Sequence, residues 1–203
     1  SLSELGPWLE VLRYDGSDYL SGTLPDFAAF GKLRSLSGGG TSISGTIGTE
    51  VGLMTTLENQ LSFQAADSSG RYMSGTLPTE LGALDKVTQL VLYFQNYISG
   101  TVPTELGDLG RAAAQGSTSA LAARYTRSLS GTLPTQLGRL TRVEFENTNK
   151  LNGHLPTELL SADFTQLYMY YVHGLSGTIP SEVGLAHKLL QFRIAGSYRL
   201  SGT

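Results

Sequence analysis

The sequence has no cysteine, little charge and no long apolar run, and each shortage excludes a class of protein. Without cysteine, neither disulfides nor thiolate metal sites contribute to the fold. No stretch approaches the roughly 20 apolar residues that cross a bilayer, so no membrane span is predicted. Charged residues make up only 15% of the chain and form no basic cluster. Nucleic acid is therefore not an expected partner, because phosphate binding requires concentrated Lys and Arg.

Catalytic and cofactor-binding patterns are also missing. The three histidines, His154, His173 and His187, lie in different repeats. No residue pair has the spacing of a nucleophile and its base, and no group has metal-ligand spacing. None of the asparagines begins an N-glycosylation sequon. The sequence predicts a non-enzyme with no catalytic residues, no metal and no cofactor.

What the chain does contain is a ten-residue motif that recurs along its whole length. The four most regular copies are MSGTLPTELG at 73–82, ISGTVPTELG at 98–107, LSGTLPTQLG at 129–138 and LSGTIPSEVG at 175–184. The motif glycines follow one another at spacings of 23, 30, 25, 31, 22, 24 and 25 residues, and the two longest spacings indicate insertions near 64–72 and 110–120. A period in the mid-twenties with leucine at fixed offsets predicts one solenoid domain, 1–203, of about eight coils.

One repeat shows how each coil is built. After Pro78, apolar residues recur at every third position, at Leu81, Leu84 and Val87, which predicts a tight helical or 3-10 turn. The next segment, 90–92, predicts a short strand with its two leucines facing inward. In the second coil, by contrast, the glycines at 38–40 predict a weak strand. No coil buries its apolar edge alone, so stacked coils must bury it as one core.

This pattern resembles the leucine-rich-repeat family, in particular its plant-type subclass with the L-x-G-x-I-P signature. The resemblance covers the whole chain and implies a right-handed α/β-type solenoid, with a parallel β-sheet on one face and helical or 3-10 turns on the other. No caps are evident, since extracellular members usually close their ends with cysteine pairs. The family tends to carry an asparagine two residues before Leu-Ser-Gly, but here only Asn96 and Asn149 do so. The resemblance also makes an extracellular or cell-surface location the expectation.

The outward side chains of the strands form the first candidate surface. Alternation along a strand places a set of tyrosines, arginines and glutamates, Glu144 among them, on the outer side. Tyrosine and arginine are typical anchors of interfaces, which predicts a ligand- or partner-binding surface. The alternative is that tyrosine merely suits a half-exposed strand. The residues at the centre of this surface are Tyr93, Arg124, Glu146, Tyr168 and Tyr170.

The Ser-Gly-Thr ladder is the second candidate surface. If the segment is extended, glycine faces the core while serine and threonine face out, in rows about 4.8 Å apart. Three interpretations stay open: solvated turns, attachment of covalent O-glycans, and an ordered-water or ice-binding face, an activity of some plant leucine-rich-repeat proteins. The regular positions are Ser74, Thr76, Ser99, Thr101, Ser130, Thr132, Ser176 and Thr178. Asn152 and His154 interrupt both rows.

The leading prediction comes from the two ends of the sequence. Placed end to end, the closing LSGT and the opening SLSELG align with the internal LSGT–LPTELG motif. Open ends expose core side chains and an unpaired strand edge, which predicts head-to-tail stacking of copies into an extracellular filament. A ligand-binding ectodomain fragment of a longer receptor-like or secreted protein would show the same register and is the alternative. The predicted stacking residues are Leu2, Leu5, Leu12, Tyr14, Phe192, Ile194 and Leu200.

Overall fold

The computed structural model describes residues 6–16, 20–24, 26–65, 73–112, 119–161 and 163–202. Within these ranges the chain repeats a 3-10 helix followed by two strands, and the right-handed leucine-rich-repeat solenoid predicted from the sequence is confirmed. Its helical turns are 3-10 throughout the described residues. The 3-10 helices are Gly6–Trp8, Phe27–Ala29, Thr49–Leu53, Thr79–Ala83, Thr104–Asp108, Thr135–Arg139, Thr157–Leu160 and Ser181–Leu185. Leu2 and Leu5, and most of both insertions, lie outside the described residues.

Two rows of parallel strands run along the solenoid. In spatial order the first row is β1 (Val11–Arg13), β3 (Ser35–Thr46), β4 (Asn59–Ala65), β6 (Val87–Tyr93), β8 (Ala120–Arg124), β10 (Arg142–Glu146), β12 (Gln166–Tyr170) and β14 (Gln191–Ala195). The second row is β2 (Ser21–Thr23), β3 again, β5 (Met73–Thr76), β7 (Tyr97–Thr101), β9 (Leu129–Thr132), β11 (Lys150–Gly153), β13 (Gly174–Thr178) and β15 (Arg199–Ser201). The two rows therefore meet in a single shared strand, β3.

The core is one column of apolar side chains enclosed by the two rows of strands and the 3-10 helices. Leu81, Leu84, Val87 and Leu90 are 0–1% exposed, which confirms the three-residue step predicted from the sequence. Leu92 is also buried, as predicted for an inward strand residue. The same buried cluster continues from coil to coil along the stack.

The segment 38–40, predicted to be a weak strand, lies inside a long strand whose register with β4 is irregular between Gly38 and Thr41. β3 is 12 residues long and bridges both rows. The ring of Tyr14, from the preceding coil, fills the space that a side chain at Gly38 would need. The missing side chain thus makes room for an aromatic ring instead of leaving the strand unsupported. Burial, with a smaller contribution from Asp15, raises the pKa of Tyr14 to about 12.

The position that carries asparagine in the resembling family is exposed in the later coils, where Arg127, Asn149, His173 and Tyr198 occupy it. Asn96, at the same position in the fourth coil, is half-buried, and its side-chain oxygen is buried without a hydrogen-bond partner among the described residues. The residue one place earlier is buried instead. The buried set is Gln95, Thr126, Thr148, Val172 and Ser197.

Two members of this buried set bond the backbone of neighbouring coils. Gln95 Oε1 accepts the backbone N–H of Met73 at 2.9 Å, and Ser197 Oγ accepts the N–H of Val172 at 3.3 Å. Side-chain bonding of the turn therefore occurs one residue before the expected position, and through different residue types.

Backbone contact between neighbouring 3-10 helices sets the spacing of the coils. A Cβ added at Gly138 would overlap the carbonyl oxygen of Glu158 in the next coil, and one at Gly107 would overlap that of Gln136. Gly184 occupies the same place in the last described helix, and a Cβ there meets nothing within 4 Å. This second glycine of the motif, which we call the helix glycine, therefore allows close backbone contact in the regular coils, whereas Leu160 stands at its position in the seventh coil.

We expect Gly138→Ala to lower the free energy of unfolding by about 2 kcal/mol, because the added methyl group forces two coils apart. Gly184→Ala is the matched control and should be neutral or slightly stabilising, because alanine restricts the unfolded chain. Urea unfolding measures both effects. Equal losses in the two variants would show that the glycine is needed for its own helix and not for the neighbouring coil.

Candidate functional site

The outward side chains of the first row form a continuous surface, which we call the strand face. Strand register aligns them in three columns that run across β4, β6, β8, β10, β12 and β14. The first column is Gln60, Gln89, Ala120, Arg142, Gln166 and Gln191. The second column is Ser62, Val91, Ala122, Glu144, Tyr168 and Arg193. The third column is Gln64, Tyr93, Arg124, Glu146, Tyr170 and Ala195.

A buried carboxylate lies at the centre of the strand face. Glu144 points outward, yet it is only 1% exposed. Arg142 donates to its Oε2 at 2.6 Å, and Arg124 donates to its Oε1. Arg124 also lies 3.6 Å from Glu146. Alternation predicts the direction of Glu144 but not its burial, which results from two long arginine side chains folding over it.

The same two arginines also make cation–π contacts with tyrosine rings of neighbouring strands. The guanidinium of Arg124 lies 4.9 Å from the ring centroid of Tyr93, and that of Arg142 lies 5.1 Å from the ring of Tyr168. Arg193 approaches Tyr168 at 5.8 Å. Each such contact contributes roughly 0.5–1 kcal/mol at partly exposed sites. The face is therefore organised by its own contacts before any partner arrives.

Electrostatics on the strand face follow from this packing. Burial, and then the charge of Glu144, raise the pKa of Tyr93. Burial alone would lower the pKa of Arg124, but the hydrogen bond to Glu144 and the nearby negative charges outweigh it and raise that pKa. Arg124 therefore remains charged, and Tyr93 remains a neutral hydroxyl, throughout the ordinary pH range.

The two remaining tyrosines extend the network toward β14. The ring centroids of Tyr168 and Tyr170 are 6.2 Å apart, and the hydroxyl of Tyr168 donates to Gln191. All five residues at the centre of the predicted surface thus lie on one face, and each of them makes an ionic or ring contact with another residue of that face. Arg142 and Gln191 belong to the network as well, although no pattern in the sequence separates them from other polar residues of strands.

A hollow interrupts the strand face between Tyr93 and Arg142. It has a volume of about 230 Å³. Its floor includes Val91, Ala120 and Ala122. The hollow exists because alanine stands where the same columns carry glutamine, arginine or tyrosine on later strands.

Left-handed backbone conformations border the strand face. Four strands are followed by a non-glycine residue with positive φ: Phe94 at 59°, Tyr125 at 55°, Asn147 at 52° and Tyr171 at 54°. Bulky residues rarely adopt this conformation, which costs of order 1 kcal/mol or more each and persists only where surrounding contacts impose it. Here each N–H donates to a carbonyl of the next strand at 2.7–2.9 Å. The rings of Phe94 and Tyr125 stack at 4.7 Å, so an aromatic edge lies beside the third column.

The Ser-Gly-Thr ladder largely serves contact between coils. The ladder serines donate their hydroxyls to the motif glycine carbonyl of the preceding coil, at 3.3 Å for Ser74, 3.2 Å for Ser99, 3.2 Å for Ser130 and 3.5 Å for Ser176. The prediction that the ladder glycine faces the core is wrong. A Cβ at Gly100 would lie 3.0 Å from the Thr76 methyl, so the glycine contacts the preceding threonine. The hydroxyl-bearing side chains that stay exposed are Thr76, Thr101, Thr132 and Thr178.

The predicted stacking residues fall into two groups. Leu12, in the first coil, and Phe192, Ile194 and Leu200, in the last, are half-buried against the core. Tyr14 is directed at the second coil, as described above. A contact between copies at these residues stays a prediction.

Neither a metal cluster nor a membrane-spanning helix occurs within the described ranges. There, no three acidic or histidine side chains come close enough to hold a metal ion. Nor does any helix in that part of the chain have the length and apolar character needed to cross a bilayer.

Comparison with known proteins identifies the fold. No protein-family model matches the sequence, and no curated protein is significantly similar. Among solved structures, the plant peptide hormone receptor RGFR1 in complex with RGF2 is 22% identical with a TM-score of 0.62, covering 99% of this chain and 34% of that one. The ectodomain of the Arabidopsis thaliana receptor kinase GASSHO1/SCHENGEN3, in complex with CASPARIAN STRIP INTEGRITY FACTOR 2, is 26% identical with a TM-score of 0.65, covering 95% and 23%. A plant ice-binding protein is 19% identical with a TM-score of 0.69, covering 98% and 68%.

These likenesses confirm that the chain has the plant-type leucine-rich-repeat fold. They extend over nearly all of this chain, whereas the chain spans about a third of the length of the receptor RGFR1.

We expect Glu144→Gln to lower the free energy of unfolding by roughly 1–3 kcal/mol, because it leaves two partly buried arginines short of a counter-charge. Glu146→Gln, two residues along the same strand and more exposed, is the control and should cost less than about 1 kcal/mol. Urea unfolding at neutral pH gives both values. A Glu144→Gln variant as stable as the wild type would show that the buried carboxylate does not hold the arginines.

Proposed function

We propose that this solenoid is a non-enzymatic binding module whose strand face recognises an extended peptide segment of another protein. The observation that carries the proposal is the network of Tyr93, Arg124, Glu144, Arg142 and Tyr168, which spans four adjacent strands and is held by contacts within the chain. Interfaces rely on buried tyrosine and arginine anchors. Anchors that are already ordered lose less entropy on binding than mobile ones.

The solved structures of similar fold support this proposal. RGFR1 is a peptide hormone receptor in complex with RGF2, and GASSHO1/SCHENGEN3 is a receptor kinase ectodomain in complex with CASPARIAN STRIP INTEGRITY FACTOR 2. By analogy we place this chain outside the cell or at its surface. A ligand-binding part of a larger receptor-like or secreted protein fits both the strand face and the share of the receptor length that the chain spans.

Tyr168→Ala and Tyr170→Ala should each weaken binding of peptides selected from a random-peptide library by about tenfold or more, the usual effect of removing a central aromatic anchor. Tyr198→Ala is the matched control, because Tyr198 lies off the strand face and is 83% exposed. Affinities are measured by fluorescence polarisation, and thermal melting checks that each variant stays folded.

Selected peptides that bind both strand-face variants as tightly as the wild type would refute the proposed location of the site. A library that yields no binder at all would refute peptide recognition itself.

Head-to-tail association of copies is a second candidate function, and the exposed side of the last described coil favours it. Within the described residues β14 pairs only with β12, which leaves its other edge open. Phe192 and Ile194 are half-exposed there, and Gly184 meets open space. The first coil of a second copy would supply the next strand and the next 3-10 helix. Repeated contacts of this kind build an extracellular filament unless their rotation closes a ring.

If copies associate in this way, the mass measured by sedimentation should rise with protein concentration, and Gly184→Trp should abolish that rise without loss of stability. Its side chain is larger than Leu160, which the stack accommodates at the equivalent position, and would occupy the place where the next helix must lie. Gly31→Trp is the control, because a side chain at Gly31 also meets open space, in the second coil. Constant monomer mass at high concentration, or association that survives Gly184→Trp, would contradict the proposal.

The exposed threonines give some support to an ice-binding role and to O-glycan attachment. Thr76, Thr101, Thr132 and Thr178 share one side of the second row, and one solved structure of similar fold is an ice-binding protein. However, His154 interrupts the threonine row, and the neighbouring serine hydroxyls are engaged between coils. Both roles are therefore weaker candidates than peptide recognition.

A further inference from the structure

We infer that the hollow above Ala120 and Ala122 is a specificity pocket for one uncharged amide side chain, glutamine or asparagine, of the bound peptide. The inference rests on the proposed peptide recognition by the strand face and adds which side chain that face selects.

The size of the hollow limits what it can hold. Its volume of about 230 Å³ lies below the roughly 300–1,000 Å³ of pockets that enclose whole small molecules. It lies within the strand face, flanked by Tyr93 on one side and by Arg142 and Gln166 on the other. A single side chain of a peptide laid across the strands fits this position better than a separate ligand does.

The lining of the hollow combines apolar side chains with polar ones, two of which are amides. Val91, Ala120 and Ala122 offer methyl groups to the aliphatic part of a side chain. Gln89 and Gln166 offer amide groups that both donate and accept hydrogen bonds. A glutamine or asparagine side chain has this same combination, with a short aliphatic stem and an amide at its end.

Arg142 supplies a donor that lacks an acceptor. Its Nε–H is buried and has no hydrogen-bond partner among the described residues. Leaving a buried donor unpaired is unfavourable, so a shift of the Arg142 side chain that turns this N–H toward the hollow would be favoured by a hydrogen bond to a ligand carbonyl. The carbonyl oxygen of a side-chain amide meets that requirement.

Charge balance favours a neutral group over a carboxylate. The terminal nitrogen of Arg142 is already paired with Glu144 at 2.6 Å, and Arg124 is paired with Glu144 and lies close to Glu146. Two positive and two negative groups therefore cancel next to the hollow. A ligand carboxylate would have to compete with Glu144 for Arg142, and a ligand cation would be placed beside the arginines.

The tyrosine rings argue against a sugar as the occupant. Sugars are commonly held by stacking on an exposed aromatic face, but Arg124 covers a face of Tyr93, and Arg142 and Arg193 both approach the ring of Tyr168. At least one face of each of these rings is therefore already used by cations of the chain itself.

The test uses peptides selected from a random-peptide library on the full chain. We expect the selected peptides to share a glutamine or asparagine. Replacing that residue by glutamate or by leucine should weaken binding to the wild-type chain by on the order of tenfold to a hundredfold, since a site built for hydrogen bonds rejects a partner that cannot make them. In the Ala120→Gln variant, which fills the hollow, the preference for the amide should disappear.

Ala120→Gln suits the strand, because Gln89 and Gln166 occupy the same column. Ala122→Val is a second filling variant, chosen because Val91 occupies the same register position on the neighbouring strand. Gln60→Ala, in the same column but away from the hollow, is the control and should keep the amide preference.

The outcomes separate this inference from the proposed function. Absence of any peptide binder overturns both. Binders that depend on Tyr168 and Tyr170 but tolerate glutamate or leucine equally well overturn only the amide pocket, as does a preference that survives both Ala120→Gln and Ala122→Val. Displacement of the selected peptides by neutral oligosaccharides would also overturn it in favour of a sugar.

Discussion

Contact between the backbones of neighbouring coils is the constraint on which the rest of this structure depends. At Gly138 the next coil leaves no room for a Cβ, and the glycines at the same place in the earlier 3-10 helices, Gly52, Gly82 and Gly107, repeat the arrangement. Coils held at one distance and in one register also hold their outward side chains in register. The strand face is the product: Arg124 contacts Glu144, and Arg142 contacts Tyr168, only because the strands that carry them cannot slip.

The sequence predicts those features that repeat. The three-residue step of Leu81, Leu84 and Val87 and the inward pair Leu90 and Leu92 depend on local periodicity, which a single repeat displays and neighbouring repeats confirm. The same periodicity places the five central residues of the strand face on one side of the sheet. Features that depend on departures from the repeat escape this kind of prediction. The support that Gly38 receives cannot be predicted from its own repeat, because the tyrosine ring that covers it comes from another coil. Likewise, the two alanines of the hollow stand out only when they are compared with the residues beside them in register.

The burial of Glu144 illustrates why a candidate site is harder to predict than a fold. Burial of a leucine follows from its own character, whereas Glu144 is buried by what two neighbouring arginines do. Those arginines are in turn oriented by tyrosines on neighbouring strands. At the border of the same surface, the left-handed backbone conformation of Phe94, Tyr125 and Tyr171 raises the free energy of the folded chain. Cooperative arrangements of this kind have no signature in any one repeat, because each depends on several repeats at once.

The shared strand β3 gives the two ends of the solenoid different mechanical properties. In the coils from β6 onward a turn separates the strand of the first row from that of the second, and its dihedral angles can absorb a rotation of one row against the other. In the second coil, residues 35–46 run through as one strand, which pairs with β1 and β2 on one side and with β4 and β5 on the other. Rotation of one row against the other is therefore more restricted at this point than in the coils from β6 onward. The hollow and the arginine network lie in those more compliant coils, so a bound peptide that bends the solenoid would deform the region that contacts it while the second coil acts as a stiff support.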